Sequence, residues 1–154
     1  MSKYKIEDSV IDNDLIQDIE LYIKKHNIVC LNIVKECSID FTKRVDKSFS
    51  EVLLKMIDDR NLIDVEVYKK ANIDRRHFSK MRNRKYHPRK NTIIKLVFAM
   101  ELDIENTNVL LKTAGYVLTT SDLRDIIIMY FIEHKEYDLF KVNDVLEYYN
   151  LEYI

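Results

Sequence analysis

The chain has 154 residues, of which 47% are hydrophobic and 33% charged, and its formal net charge is -1. This length and composition are typical of one globular domain with a sizeable core, and they exclude a disordered chain. A single glycine and a single proline disfavour an all-β fold and a glycine-rich nucleotide loop. The longest apolar run has seven residues, too few to cross a membrane. We therefore expect an all-α protein with no membrane partner.

The first half of the chain contains three predicted helices. Apolar residues at helical spacing predict helices over 14–25, 49–62 and 65–71. Ser48 and Glu51 form a capping box that begins the second helix, and Asp64 is the expected N-cap of the third. Residues 28–41 are ambiguous between strand and helix, and we expect them to be short and irregular.

The second half of the chain continues the helical pattern. Helices are predicted over 75–84, 89–102, 105–114, 121–134 and 144–150. Asn72 tolerates the left-handed backbone of a tight turn before the helix over 75–84, and Pro88 is expected to open the helix over 89–102. Gly115 is the expected C-terminal cap of the helix over 105–114. The helix over 121–134 is apolar nearly all round and is therefore expected to be buried. The last helix is expected to begin at the capping box formed by Asp144 and Glu147.

Charge is segregated along the chain. Residues 69–95, called the basic window below, contain eleven basic residues and one acid, Asp74. The rest of the chain has 14 basic and 25 acidic residues. A solvated helix face normally mixes both signs, so this segregation favours an acidic partner at the basic window.

A short helix, a tight turn, a second helix and a proline before a long apolar helix form the order of a helix-turn-helix domain. The segments IDRRHFSKMRNR (73–84), HP (87–88) and TIIKLVFAMEL (92–102) carry this order. Residues 49–114 resemble the helix-turn-helix domain of Cro and lambda-repressor-like regulators, the XRE type.

This resemblance implies both an architecture and a function. It implies a lambda-repressor-like bundle of about five helices over 47–118, with an N-terminal helical extension over 1–46 and a C-terminal one over 119–154, as one continuous fold. It also implies a cytoplasmic, sequence-specific protein that binds double-stranded DNA as a transcriptional regulator. The helix over 75–84 would then be the recognition helix.

The recognition helix has two distinct sides at 100° per residue. Phe78 and Met81 define the buried side, and a polar, basic face lies opposite. Arginine and lysine can read guanine in the major groove, and asparagine can read adenine. The predicted base-reading residues are Arg75, Arg76, His77, Ser79, Lys80 and Asn83. The alternative interpretation is an ordinary basic surface helix.

A second set of cations is predicted to hold backbone phosphates without reading sequence. These residues are Lys69, Lys70, Arg84, Lys85, Arg89 and Lys90. Arg89 and Lys90 lie at a predicted helix start, where the helix dipole disfavours cations unless an anion binds there. Asp64 and Val65 stand where the family commonly has a polar phosphate-binding residue, so Lys69 or Lys70 is expected to replace it. The alternative is a solvated loop.

No converging nucleophile, base or metal set is visible, so we expect neither an enzyme nor a cofactor nor a metal. His26, Cys30 and Cys37 have a loose metal-like spacing that no second pair completes. Two cysteines are also too few for a disulfide framework, which favours a reduced compartment.

Two further interpretations remain open at the level of sequence. The aromatic C-terminal residues are either core or a surface for a homodimer or partner protein; they are Tyr137, Phe140, Tyr148, Tyr149 and Tyr153. The chain as a whole has an alternative function, as a protein-interaction or RNA-binding accessory module on the same scaffold. Such a module would be a subunit of a larger bacterial or phage-related system.

Overall fold

The structure is a computed structural model that describes residues 12–33 and 47–154, with side chains for 12–26 and 47–154. Within these residues the chain forms eight helices and no strand, which confirms the all-α prediction. The helices are α1 (Asn13–Ile33), α2 (Phe49–Asp59), α3 (Asp64–Lys70), α4 (Arg75–Met81), α5 (Lys90–Ala99), α6 (Ile104–Thr113), α7 (Leu123–Glu133) and α8 (Leu139–Tyr148). Three of these eight helices, α1, α7 and α8, lie outside the five-helix bundle expected over 47–118. Helices α2 to α6 fall within 47–118, and their grouping as a helix-turn-helix bundle stays a prediction.

One hydrophobic core joins the described helices. Helix α7 packs against α1, α6 and α8, while α5 packs against α3 and α6, and α3 also contacts α4. Every residue from Ile126 to Ile132 is buried, as the apolar pattern of α7 predicts. Burying one large aliphatic side chain contributes about 1.5 to 3 kcal/mol, so α7 is a principal anchor of the C-terminal helices. None of the described helices combines the length and apolar character that a membrane crossing needs.

Most helices begin at a side chain that accepts hydrogen bonds from the first turn. The predicted capping box of α2 is present: Ser48 Oγ accepts from the Glu51 backbone N–H (3.4 Å), and the Glu51 carboxylate accepts from the Ser48 backbone N–H (2.9 Å). Four later helices have an aspartate cap: Asp74, Asp103, Asp122 and Asp138. By contrast, the N-cap residues of α3 and α5, Ile63 and Arg89, form no side-chain cap hydrogen bond.

Outside the basic window, the two largest differences from the predicted boundaries are at the end of α1 and at the start of α8. The backbone of α1 remains helical to Ile33, so the first part of 28–41 is regular rather than irregular; the part beyond residue 33 lies outside the described residues. Helix α8 begins at Leu139, because Asp138 caps it, and Asp144 therefore lies inside the helix. A capping pattern in the sequence can lie anywhere on an exposed helix face, so it does not mark a start by itself.

Near the basic window, α3 is shifted by one residue, and α4 and α5 are shorter than predicted. Asp64 is the first residue of α3 rather than its cap, and α4 ends at Met81 instead of Arg84. Helix α5 begins at Lys90, two residues after Pro88. The segment between α4 and α5 is consequently a longer connection than the sequence indicates.

Six helices end in a left-handed residue although the chain has one glycine. These residues are Asn61, Asn72, Glu101, Gly115, Lys135 and Asn150. After each one, the next backbone N–H donates to the carbonyl five residues earlier, for example Ile73 to Tyr68 (2.9 Å) and Leu102 to Val97 (3.0 Å). This is the Schellman arrangement, which satisfies carbonyls that the helix end would leave unpaired. It also directs the following residue, such as the buried Leu102, back into the core.

Candidate nucleic-acid interface

Helices α3 and α4 are joined by a tight turn at Asn72. Its φ of 50° is the left-handed conformation expected for this position, and the turn is closed by the Asn72 N–H donating to Lys69 O (3.0 Å). Ile73 follows and is buried. The Asp74 carboxylate then caps α4 by accepting from the Arg76 backbone N–H (2.8 Å). The single acid of the basic window is thus a structural cap.

The buried side of α4 is the one predicted. Phe78 is 3% exposed and Met81 is fully buried. The Phe78 ring packs against Tyr68 of α3, with 5.7 Å between ring centroids. This contact fixes the rotation of α4 about its own axis, so the residues opposite Phe78 must face solvent.

The opposite side of α4 presents the polar side chains expected there. Arg75, Arg76, Ser79 and Lys80 are all exposed. Asn83 is also exposed, but it lies beyond the end of α4. Its side-chain oxygen accepts from the Lys85 backbone N–H (3.0 Å), so Asn83 shapes the connection that follows the helix.

His77 has a partner within the protein. Its Nε2 lies 2.7 Å from the Tyr86 hydroxyl, and the two rings meet edge to face with their centroids 5.9 Å apart. The side chain is half-buried. His77 is therefore placed to hold the connection after α4 against the helix. We do not include it among the proposed base-reading residues, which are the exposed side chains beside it.

Four of the eleven cations of the basic window form ion pairs with acids from outside it. Arg84 pairs with Glu51 (2.7 Å) and Lys70 with Glu101 (3.3 Å). Arg82 pairs with Asp64, and Lys90 pairs with Asp125. The cations that form no ion pair with a described carboxylate are Lys69, Arg75, Arg76, Lys80, Lys85, Arg89 and Lys95.

The pair of Glu51 and Arg84 lies at the surface beside α2. The Ser48 backbone and hydroxyl donate to the Glu51 carboxylate, and with the nearby Arg84 guanidinium they lower the pKa of Glu51 below its ordinary value. Both side chains are substantially exposed, so water and salt screen this pair. Arg84 can therefore exchange Glu51 for another anion at small cost.

Lys90 is held much more tightly than a solvated phosphate-binding lysine would be. Its Nζ lies 2.7 Å from both carboxylate oxygens of Asp125, which is 1% exposed. The same carboxylate accepts from the Thr119 backbone N–H (3.0 Å). Because the ammonium is already paired in the interior, we remove Lys90 from the proposed phosphate set.

The first turn of α5 is further tied to the chain's C-terminal residues. Arg124 donates to the side-chain oxygen of Asn91 (2.7 Å) and to the carbonyl of Glu152 (2.9 Å). Together with Lys90 and Asp125, these bonds attach the start of α5 to α7 and to the end of the chain. Sequence reasoning missed this network, although an aspartate beside the longest apolar run was a visible signal that a buried carboxylate needs a partner.

Lys69 and Lys70 lie in a different environment from α4. Both line a cleft of about 730 Å³ whose other walls come mainly from α5, from the segment that joins α7 to α8, and from α8 itself. No residue of α4 lines this cleft. The two lysines are therefore grouped with the cleft rather than with the recognition face.

The C-terminal aromatic residues divide between core and surface. Tyr137 is partly buried and its hydroxyl donates to the Leu102 carbonyl (3.0 Å). Tyr149 also packs against the core, whereas Phe140, Tyr148 and Tyr153 are exposed. Neither interpretation of this group accounts for all of it, and a homodimer through these residues stays a prediction.

The described residues contain no group of three metal-ligating side chains. His26 lies 3.0 Å through Nδ1 from the Tyr22 carbonyl, one helical turn earlier. The side chains of Cys30 and Cys37 lie outside the described residues. Comparison with family models, with curated proteins and with solved structures finds no match to this chain.

Proposed function

We propose that this chain is a sequence-specific DNA-binding protein of the XRE helix-turn-helix class, acting as a transcriptional regulator through α4. The observation that carries the proposal is the outer face of α4. Arg75, Arg76 and Lys80 are exposed on one short helix, none of them forms an ion pair with a described acid, and the buried Phe78 orients all of them. Cations that the fold leaves unneutralised are available to a polyanion.

The spacing on α4 suits readout of bases in the major groove. Arg76 and Lys80 are four residues apart, hence one turn apart on the same face, with Ser79 beside them. Arg76 is near the start of the helix, which is the end that reaches base edges in helix-turn-helix complexes, and Lys80 lies in its last turn. Arginine donates in parallel to O6 and N7 of guanine, so Arg76 is the proposed principal reader.

The proposed phosphate contacts are those cations that the fold leaves accessible after α4. Lys85 and Arg89 form no ion pair with a described carboxylate, and Arg84 holds only the exposed Glu51. Arg89 is also the N-cap residue of α5, whose first turn has no side-chain acceptor. A phosphate there would receive both the guanidinium and the free backbone N–H groups.

The direct test begins with selection of a preferred duplex from a random library by the full chain. Binding of that duplex is then measured by fluorescence anisotropy for the parent, for Arg76→Ala and for the control Lys112→Ala, an exposed lysine of α6. Arg76→Ala should weaken specific binding by about 1 to 3 kcal/mol and relax selectivity at one base position. The control should bind like the parent. Failure to select any sequence, or equal binding by Arg76→Ala, would overturn the proposal.

The phosphate contacts predict a different signature. Lys85→Gln with Arg89→Gln should weaken the selected and a random duplex by similar factors. The double variant should also reduce the slope of log K against log salt by about 0.9 for each lost contact. Parental slopes would remove both residues from the DNA surface. Lys112→Gln is the matched control, because it removes a charge from α6.

One observation favours the alternative, a protein-interaction or RNA-binding module. In helix-turn-helix complexes the helix before the recognition helix crosses the DNA backbone, yet the first turn of α3 contains Asp64 and Glu66, with Ile63 exposed beside them. Carboxylates repel phosphates, although Asp64 is neutralised by Arg82. If the chain does not bind duplex DNA, the same anisotropy assay with structured RNA distinguishes an RNA-binding module, which would bind the RNA, from a protein-interaction module, which would not.

A further inference from the structure

The cleft that Lys69 and Lys70 line has a distinct composition and lies away from α4. Lys95 of α5 and Lys135, which follows α7, also line it, and we call it the lysine cleft. Its volume of about 730 Å³ falls within the range of sites for small molecules, which is roughly 300 to 1,000 Å³. None of the described residues that line it is an arginine.

The acids that line the lysine cleft are already engaged. Glu101 pairs with Lys70 (3.3 Å), and the Asp138 carboxylate accepts from the Phe140 and Lys141 backbone N–H groups at the start of α8 (2.9 and 3.4 Å). The other three lysines of the cleft, Lys69, Lys95 and Lys135, form no ion pair with a described carboxylate. The site therefore offers three ammonium groups to an anion.

An aromatic side chain stands at the same site without a partner. Phe140 lines the cleft and is 84% exposed, an unusual state for a phenylalanine on an ordered helix. Tyr137 forms part of the same wall and is fixed there by its bond to Leu102 and by the Phe98 ring, 5.9 Å away. A rigid apolar wall beside an exposed ring can receive the face of a planar ligand.

We propose that the lysine cleft binds a nucleoside triphosphate, with the phosphates among Lys69, Lys95 and Lys135 and the base against Phe140. Lysine is a compact point charge suited to phosphate. Three ammonium groups match a triphosphate better than a singly charged ligand. The site is independent of the DNA-binding proposal, since it shares no residue with α4.

The test is calorimetric titration of the full chain with ATP, GTP and inorganic triphosphate. One site is expected, and inorganic triphosphate should bind at least about tenfold more weakly than the better nucleotide, because base stacking on an aromatic ring is lost. Phe140→Ala should remove the same factor. Lys95→Gln and Lys135→Gln should each weaken binding about tenfold, whereas Lys95→Arg and the control Lys112→Gln should not. Thermal unfolding checks that each variant is folded.

Several results would overturn the proposal. Absence of ATP and GTP binding at about 1 mM would do so, as would nucleotide binding that Phe140→Ala and Lys95→Gln leave unchanged. Displacement of the nucleotide by duplex DNA would show that the lysine cleft belongs to a DNA surface instead. Preferential binding of a decamer of glutamate would identify an acidic peptide as the occupant. The titrations with nucleotides and with the glutamate decamer can be interpreted whether or not α4 binds DNA.

Discussion

Replacement of Asp125 by alanine tests how much the buried ion pair at the start of α5 stabilises the protein. The substitution leaves the Lys90 ammonium, whose side chain is 24% exposed, without its carboxylate and leaves the Thr119 N–H without an acceptor. Removing one partner of a buried pair costs about 3 to 5 kcal/mol, because the other charge stays desolvated. For a chain of this size each kcal/mol lowers the melting temperature by about 2 to 4 °C. Urea unfolding followed by circular dichroism should therefore show a loss of this size in the free energy of unfolding. In thermal unfolding, the melting temperature should fall by about 6 to 20 °C.

Two companion variants separate the ion pair from the loss of one side chain. Lys90→Met with Asp125→Leu removes both charges, and it should recover most of the stability that Asp125→Ala loses. Asp59→Ala changes an exposed aspartate of α2 and should alter the free energy of unfolding by less than about 0.5 kcal/mol. A loss below about 1 kcal/mol for Asp125→Ala would refute the reasoning, since Asp125 would then be effectively hydrated.

Two further predictions follow from the packing and the caps. Phe78→Ala should lower the free energy of unfolding by about 3 to 5 kcal/mol in urea titration, because Phe78 fills the contact with Tyr68; an unchanged midpoint with lost DNA binding would mean that α4 is rotated. Backbone hydrogen bonds from Ser48 and Asn106 hold the pKa values of Glu51 and Asp103 below their ordinary values, so stability present near neutral pH should fall as pH drops below about 4. With Asp103→Asn, the free energy of unfolding should fall less steeply between neutral pH and acid pH than in the parent. An equally steep fall would contradict the role given to Asp103.

The orientation of α4 could be predicted because it depends on local pattern alone. Phe78 and Met81 are three positions apart and are the only large apolar side chains between Ile73 and Tyr86. The helix therefore had a single side that could be buried. The capping box of Ser48 and Glu51 is equally local. Both features need only the helical repeat and one hydrogen-bond rule.

The lysine cleft and the buried ion pair could not be predicted, because each joins residues far apart in the chain. Lys90 and Asp125 are 35 residues apart, and only the packing of α7 brings them together. The left-handed backbone of Glu101 and Lys135 could not be predicted for a different reason. Sequence signals assign such positions to glycine or asparagine, whereas here the burial of the next hydrophobic residue, such as Leu102, outweighs the cost of the backbone conformation.

The basic window carries less free positive charge in space than along the chain. Four of its eleven cations are paired, and Lys69 and Lys95 line the lysine cleft. The remaining cations are Arg75, Arg76, Lys80, Lys85 and Arg89. Five contacts set an expected upper limit of about 4.5 on the slope of log K against log salt for duplex DNA. A steeper slope would require further cations to reach phosphates, and Arg84 is the candidate because its partner Glu51 is accessible to water.

Glu51→Gln tests that exchange directly. Glutamine can keep the capping box with Ser48, but it carries no charge to hold Arg84. If Arg84 lies within reach of the DNA backbone, its release should strengthen binding of specific and random duplexes alike and increase the salt slope by about 0.9. Arg84→Gln in the Glu51→Gln background should abolish the gain. If Glu51→Gln leaves both affinity and slope unchanged, Arg84 serves only to join α2 to the segment after α4 and is not part of the DNA surface.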